Sequence, residues 1–321
     1  PRSVFNRDMS PLESLGVKFH FGTSAGRDFT LRSLRDDGFD ATVIMVGAQV
    51  AKMLNLENED CDGVLDALLF LRNAREGKPV NAGRRIGIIG AGDTAMDAAR
   101  VARRLSDGEV SLIYRRTIDQ MPADREEIRH LQDEGIRICE LAKPHRLVVE
   151  DGQLSGLVCR RMEFRGDRDA SGRKIPHESA DDDFTIPLDT LILAISQNAM
   201  LDFLDGEPVE INDKGYIKAD PETFETSLPG VFAGGDVAND GPSSIVEAAA
   251  AGKAIAAAIL GRHRTTAPEP DTRVDTADLL RRRSHREWRA HSPMLALDYR
   301  SGFDEVVFKL DDETARKEAS R

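Results

Sequence analysis

Residues 86–95 read Ile-Gly-Ile-Ile-Gly-Ala-Gly-Asp-Thr-Ala, and no other stretch restricts the possible folds so severely. The run contains G-x-G-x-x-A, set between an apolar segment at 85–89 that reads as a buried strand and a segment at 94–105 with helical spacing. Gly90 permits a tight turn. Gly92 has no Cβ, so a pyrophosphate can approach the backbone, and Ala95 keeps helix and strand close. A helix that starts there aims unbonded N–H groups at phosphate oxygens. A glycine pattern alone is weak, the alternative being a plain glycine turn. The strand before it and the helix after it make residues 85–116 a dinucleotide-binding βαβ unit.

The rest of the chain fits around that unit. Strands and helices alternate, which is the α/β signature. Residues 1–39 open with a helix, followed by short strands near 17–21. Residues 39–46 read as an apolar strand ending at Gly47, and 61–76 carry helical spacing at Val64, Leu65, Leu68, Leu69 and Leu71. The next strand is expected at 109–114, and a helix at 125–134 stops at Gly135. Segments 147–149 and 154–164 look antiparallel. Buried strands are expected at 188–195 and 230–233, and a long alanine-rich helix at 243–260. Beyond His263 the pattern loosens into a charged tail punctuated by Pro268, Pro270 and Pro293.

The second strand of the unit ends in Tyr114-Arg115-Arg116. An NAD site usually has Asp or Glu there, for the ribose 2′-hydroxyl. No acid stands at this end. Two guanidiniums suit a 2′-phosphate, which they grip through paired charged hydrogen bonds. The expectation is NADPH over NADH, against the alternative of a surface basic pair following a strand.

A second, longer pattern is Thr226-Ser-Leu-Pro-Gly-Val-Phe-Ala-Gly-Gly235-Asp236, in which a strand delivers Asp236 to a glycine-lined end. Gly241-Pro242-Ser243-Ser244 then opens the helix that begins with Ile245 and Val246. This resembles the flavin-contacting motif of the two-dinucleotide-domain flavoproteins. A reduced flavin carries negative charge near N1 and O2, and a helix N-terminus stabilises it. Residues 40–48 (Asp-Ala-Thr-Val-Ile-Met-Val-Gly-Ala) resemble that family's first crossing between its FAD and NADPH domains, and 191–197 (Leu-Ile-Leu-Ala-Ile-Ser-Gln) the return crossing. Between them, 92–100, Tyr114-Arg-Arg116 and Met121-Pro-Ala123 are similar to the small subunit of NADPH-dependent glutamate synthase and to related NADPH modules of ferredoxin-linked and dihydropyrimidine-reducing enzymes.

The resemblance covers residues 1 to about 262. It implies an α/β fold: a Rossmann-like three-layer NADPH-binding domain (49–196) inserted in a partial FAD-binding domain of the glutathione-reductase type (1–48 and 197–262), with a charged tail at 263–321. It implies that Asp93, Thr94, Asp97, Arg115 and Arg116 contact NADPH. Asp236 with Gly235 and residues 241–246 (Gly241, Pro242, Ser243, Ser244, Ile245 and Val246) would contact FAD. Gly47 and Ser196 mark hinges at the crossings, and Ser196 stands where the family usually has glycine, beside the expected nicotinamide. The family's first FAD fingerprint is expected ahead of Pro1, and 302–306 with 315–321 resemble a run that leads to an iron–sulfur cysteine cluster. The chain therefore reads as a piece of a longer protein or one half of a split gene. The implied activity is hydride transfer from NADPH to FAD, then electron transfer to iron–sulfur clusters outside this chain, carried by an iron–sulfur segment or a large catalytic subunit. Cofactors supply such chemistry, so no catalytic acid or base is named.

Other signals narrow the function classes. Net charge is −12, and an acidic chain repels polyphosphate, so no nucleic acid partner is expected despite Arg281-Arg-Arg-Ser-His-Arg286. No apolar run reaches the roughly 20 residues of a membrane span. Three cysteines, Cys61, Cys139 and Cys159, form no CxxC and no disulfide framework, which points to a reducing, cytoplasmic setting and places Cys139 and Cys159 in the core. A thioredoxin-reductase-like disulfide reductase shares the fold but needs a redox CxxC. Asp167-Arg-Asp-Ala-Ser-Gly172 with Glu178 nearly fits a calcium loop, but its flanks read as strands and a hairpin is favoured. A different NAD(P)H-dependent reductase subunit and a non-enzymatic nucleotide-binding module stay open as alternatives.

Overall fold

The computed structural model describes residues 2–169, 172–242, 244–261, 276–284 and 288–319. In chain order the helices are α1 (Arg2–Ser14), α2 (Leu31–Asp36), α3 (Ala67–Arg75), α4 (Asp93–Leu105), α5 (Arg125–Asp133), α6 (Ile245–Ile259), α7 (Thr276–Ser284) and α8 (Asp312–Ala319). The strands are β1 (Thr42–Ile44), β2 (Val50–Ala51), β3 (Val64–Asp66), β4 (Arg85–Ile89), β5 (Glu109–Ile113), β6 (Arg137–Cys139), β7 (Ala142–Glu150), β8 (Gln153–Arg168), β9 (Lys174–Glu178), β10 (Phe184–Pro187), β11 (Thr190–Leu193), β12 (Gln197–Asn198) and β13 (Val231–Ala233).

The principal sheet has five parallel strands in the order β3-β11-β4-β5-β6. Side chains alternate across a strand, and here both faces are used. Ile86, Ile88, Val110, Leu112 and Ile192 point to a core shared with α3, α4 and α5. Ile89, Ile113, Leu191 and Leu193 point the other way, to a core closed by the antiparallel sheet β10-β8-β7. Helices, parallel sheet and antiparallel sheet make the three layers that the sequence implied. Helix α4 lies close to the sheet because its inner face is small: Ala95, Ala98, Ala99 and Ala102 are fully buried there beside Met96.

The second lobe is thinner. Strands β1 and β13 form a two-stranded parallel sheet, and the cluster beneath them joins Leu31, Ile44, Leu204, Ile217, Val231, Ala233 and Val237. Strands β2 and β12 pair antiparallel, Ala51 with Gln197 and Val50 with Asn198, so the segments that follow Gly47 and Ser196 run side by side.

Some expectations change. The helical spacing at 61–76 resolves into a strand followed by a helix, because Val64 and Leu65 pair with Leu191 and Ile192 of β11 before the chain turns at Asp66. Asp66 then caps α3, accepting from Leu69 N at 2.6 Å. The strand expected over 39–46 shrinks to three residues, since Phe39 N closes α2 on Leu34 O. No strand forms at 17–21, where the rings of Phe19 and Phe21 stack at 5.7 Å instead. The calcium-like stretch is the β8–β9 hairpin; its Ala170 and Ser171 lie outside the described residues.

The expected loose tail is partly docked. Arg104 donates from Nε to Gly302 O at 2.9 Å and from its Nη atoms to both oxygens of Glu134, at 2.9 and 3.0 Å. Arg100 reaches Glu134 and Glu127, and Arg300 lies 4.0 Å from Glu134. Three guanidiniums thus surround one buried carboxylate, and the segment carrying Arg300 is held against α4 and α5. His263, His285 and Arg286 lie outside the described residues, as do the side chains of Arg282 and Arg283.

Candidate functional site

The turn between β4 and α4 is fixed by backbone, not side chains. Gly90 has φ +141, and a Cβ placed on it would overlap the carbonyl oxygen of Ala194. That carbonyl cannot move freely, because Ala194 N donates to Ile89 O at 2.8 Å. Gly92 is the opposite case: an added Cβ would meet nothing within 4 Å. The space in front of Gly92 is therefore open, and α4 begins there with no side-chain cap. An uncapped helix start facing open space suits a phosphate. The residues present fit a dinucleotide's pyrophosphate.

The loop from β5 to α5 lies across this turn. Ala123 N donates to Ala91 O at 3.1 Å and Asp124 N to Asp93 Oδ1 at 3.0 Å. Asp93 thus anchors the loop with its carboxylate, while Thr94 sits half-buried behind it. Asp97, one turn further on, is not among these contacts. It lines a cavity of about 1180 Å³ with Leu71, Arg72, Arg75, Val101 and Phe303, which includes no residue of the glycine turn. Desolvation there, then the charge of Glu127, pushes its carboxyl above the usual range, with Arg100 opposing.

Arg115 and Arg116 part company. Strand β5 stops at Ile113, so both arginines lie in the bend that follows it. Arg115 is exposed, whereas Arg116 is buried with Tyr114. Arg116 donates from Nε to Lys174 O at 3.2 Å and from Nη2 to Asp169 Oδ2 at 3.1 Å. The two guanidiniums do not form one open cationic pair. Asp169 belongs to the stretch weighed above as a calcium loop, and no sequence signal marked it or Lys174 as a partner of Arg116.

The second element is assembled by close approach of α6. A Cβ on Gly234 would meet Ile255 Cδ1 at 2.8 Å and Ala251 Cβ at 3.3 Å, and one on Gly235, at φ +69, would touch Ala248 and Met45. Asp236 lies half-buried in the single 3-10 turn Gly235–Val237 against this helix. Gly241, at φ +87, is pressed on the ring of Tyr216, which leaves no room for a Cβ, and Tyr216 Oη donates to Gln197 O at 3.3 Å. Pro242 is exposed and Ser243 lies outside the described residues. Ser244 caps α6 reciprocally with Glu247. Ile245 and Val246 stand 86% and 73% exposed at the helix start. A helix N-terminus beside an aspartate-bearing glycine turn fits the pyrimidine end of a flavin.

The crossings bring Gly47 and Ser196 into one ribbon. Gln49 N donates to Asn198 O at 3.0 Å and Lys52 N to Ser196 O at 3.1 Å. Gly47 has φ +73, and Ser196 has φ +129, a conformation that a residue with a Cβ rarely adopts. Cysteine chemistry is not favoured: all three thiols are free, and burial pushes them upward, Cys159 to about 12. A reactive thiol needs the reverse shift. Among the described residues there is no cluster of His, Cys, Asp and Glu suited to a metal ion, and no helix long and apolar enough to cross a membrane.

Known proteins are similar to this chain in sequence and in fold. The NADP(+)-dependent formate dehydrogenase subunit beta of Moorella thermoacetica is 37% identical over 280 residues, covering 86% of this chain and 39% of that protein. The NADPH-Fe(3+) oxidoreductase subunit beta of Geobacter sulfurreducens is 34% identical over 275 residues, 77% of this chain and 40% of that protein. The glutamate synthase [NADPH] small chain of Escherichia coli (strain K12) is 33% identical over 276 residues, 81% of this chain and 58% of that protein. The chain thus spans between two-fifths and three-fifths of the length of these relatives. Among solved structures, Mycobacterium tuberculosis FprA in complex with NADPH superposes with a TM-score of 0.58 at 18% identity, covering 75% of this chain and 66% of that one. The thioredoxin reductase of T. acidophilum gives 0.53 at 19%, covering 69% and 65%. These two show the shared fold. The family model of the pyridine nucleotide-disulphide oxidoreductases matches residues 12–252, and the chain belongs to that family of enzymes, whose cofactors are FAD and a pyridine nucleotide.

Proposed function

We propose that the chain is the NADPH-oxidising part of an electron-transfer flavoprotein, delivering reducing equivalents from NADPH to FAD and onward to iron–sulfur centres in a partner subunit or adjoining segment. The observation that carries this reading is the open, uncapped start of α4 in front of Gly92, on a sheet buried on both faces, with Arg115 exposed at the end of the neighbouring strand. Bound FAD would supply the hydride-accepting centre and the division into single electrons. The chain's own residues do the positioning. Gly90 and Gly92 admit the pyrophosphate, the α4 amides hold it, and the Arg115 guanidinium selects for the 2′-phosphate. Asp236 and the start of α6 hold the flavin side, and the ribbon at Gly47 and Ser196 sets the approach of the two lobes.

The three relatives above are named for different reactions: an NADP(+)-dependent formate dehydrogenase, an NADPH-Fe(3+) oxidoreductase and an NADPH glutamate synthase. The acceptor of this chain therefore belongs to the proposal only as a class, an iron–sulfur protein. The test is anaerobic reduction of the FAD-reconstituted protein, followed by flavin absorbance, with NADPH and NADH compared. NADPH is expected to bleach the flavin at an at least tenfold lower concentration than NADH. Equal response to the two nucleotides, or no bleaching by either, would overturn the reading.

A further inference from the structure

We infer that Asp169 and Arg116 together form a positioning device for nucleotide selection, in which the base of the β8–β9 hairpin holds the end of β5 so that Arg115 alone faces the 2′-phosphate. The inference rests on the NADPH reading above and assigns a role to two side chains that the glycine fingerprint does not reach.

Arg116 is an unusual residue to find where it is. Its side chain is 9% exposed, and burying a guanidinium is costly unless it is both paired and hydrogen-bonded. Both conditions are met from one place. Asp169 Oδ2 accepts from Nη2 at 3.1 Å and Lys174 O accepts from Nε at 3.2 Å. These acceptors flank the turn of the β8–β9 hairpin. The turn is itself tied across, Asp169 N to Arg173 O at 2.8 Å and Arg173 N to Asp169 Oδ1 at 3.1 Å. On the other side, Leu141 N donates to Arg116 O at 3.1 Å. Arg116 is thus fixed by side chain and main chain, and its preceding neighbour inherits the fixed backbone. With Arg116 held inward in the bend after β5, Arg115 beside it stands exposed.

The hairpin also shapes the charge near that end. Lys174 lies 5.2 Å over the ring of Phe164, and Asp119, in the turn that follows Arg116, has its carboxyl held low first by the Thr117 hydroxyl and to a smaller degree by the charges of Lys174 and Arg125. Arg125 holds that turn from the far side, donating to Ile118 O and Asp119 O at 3.0 and 2.7 Å. Loss of the Asp169 carboxylate leaves a buried cation with only a carbonyl partner. The guanidinium then seeks water or another anion, and the peptide that sets Arg115 is released. A bidentate grip depends on orientation more than on charge, so the loss falls on 2′-phosphate recognition and not on pyrophosphate binding.

The probes are 2′,5′-ADP, which carries the 2′-phosphate, and 5′-ADP, which does not, titrated by calorimetry against the whole chain. Neither requires FAD or turnover. Asp169→Asn is expected to weaken 2′,5′-ADP about tenfold while 5′-ADP changes less than twofold, and Asp169→Glu is expected to recover most of the loss. Arg115→Ala should abolish the preference, and adding Asp169→Asn to it should then cost nothing further. Thermal melts of each variant check that the fold is retained, and the ratio of the two affinities is a readout that general loosening would not move selectively. An unchanged ratio in Asp169→Asn overturns the inference. So does a tighter grip on 2′,5′-ADP, which would make Arg116 itself the phosphate ligand, held back by Asp169. Equal affinities of the parent chain for both probes would instead overturn the NADPH reading on which the inference stands.

Discussion

The two glycine turns carry the same local chemistry on very different foundations. The Gly90 turn ends a strand flanked on both sides by β11 and β5, in a sheet covered by helices on one face and by β7, β8 and β10 on the other. The Gly234–Gly235 turn ends β13, which pairs with the three-residue strand β1 on one edge and with the short segment at 224–226 on the other, and Val43, Met45, Val46, Ile245 and Val246 around it keep much of their apolar surface open. What opposes a Cβ differs accordingly. At Gly90 it is a main-chain carbonyl locked in the sheet; at Gly234 it is the tip of Ile255 and the methyl of Ala251. A fingerprint read from spacing says where a nucleotide approaches. The layer behind it decides how firmly the approach is held.

The comparison breaks most directly by filling the two turns. Gly90→Val combines a φ that valine does not tolerate with overlap on the Ala194 carbonyl, and is expected to cost about 4 kcal/mol in urea unfolding. Gly234→Ala, at an extended φ of −158 and against the far end of a side chain, is expected to cost about 1–2 kcal/mol. Equal losses at the two sites would show that the thin lobe is as rigid as the thick one.

Next in size is the carboxylate under the thick lobe. Burial raises the Glu134 carboxyl, but the hydrogen bonds and charges of Arg104 and Arg100 outweigh that, and the net shift is downward. A group whose folded pKa is depressed stabilises above its unfolded value and loses that stability as pH falls through the folded one. The parent chain should therefore weaken as pH drops below about 4.3. Glu134→Gln is expected to cost about 3 kcal/mol at neutral pH, because three guanidiniums lose their common partner. It should also flatten the acid limb of the stability profile. An unaltered acid limb in this variant would mean that other carboxylates dominate it.

A smaller effect separates folding from binding within one turn. Gly92→Ala adds a methyl to open space at a φ of −89, so thermal stability should hardly move. The methyl stands where a pyrophosphate would pass, and 5′-ADP affinity should fall about tenfold, or ~1.4 kcal/mol. A stable variant with parent affinity would place the phosphate elsewhere than in front of α4.

The turn at Gly90 was legible in the sequence because everything it needs lies within ten residues. The α/β class was legible through the alternation of strands and helices, and the three layers followed from the family resemblance. Val64–Asp66 was not, since a short apolar run has no period of its own and its pairing with β11 decides the matter across more than a hundred residues. The docking of the tail was invisible for the same reason: Arg104 and Gly302 are 198 positions apart. The separate fates of Arg115 and Arg116 were not legible: both lie past the end of β5, and only the fold supplies Asp169 as the partner that makes burial of Arg116 tolerable. Asp97, carried over from the resemblance alone, lines the cavity beside α3 with Leu71, Arg72 and Val101, a neighbourhood that no local spacing announces.

The smallest expected effect lies on the ribbon that joins the two lobes. Ser196 is held at φ +129, in a region populated almost only by glycine, and such a conformation costs about 1–3 kcal/mol. Ser196→Gly removes that strain but also loosens the unfolded chain, which costs about 0.4–1 kcal/mol in return. The net expectation is a gain of about 1 kcal/mol, read as a raised urea midpoint with an unchanged slope. Because Lys52 N donates to Ser196 O, the same change relaxes the pairing of the two crossings. Amide exchange at Gln49 and Lys52 should therefore speed up even as global stability rises, whereas exchange in β4 and β5 should slow with the global gain. If Ser196→Gly lowers the midpoint, the serine is holding the ribbon through contacts that outweigh its backbone strain, and the crossing is a fixed strut between the lobes, not a hinge.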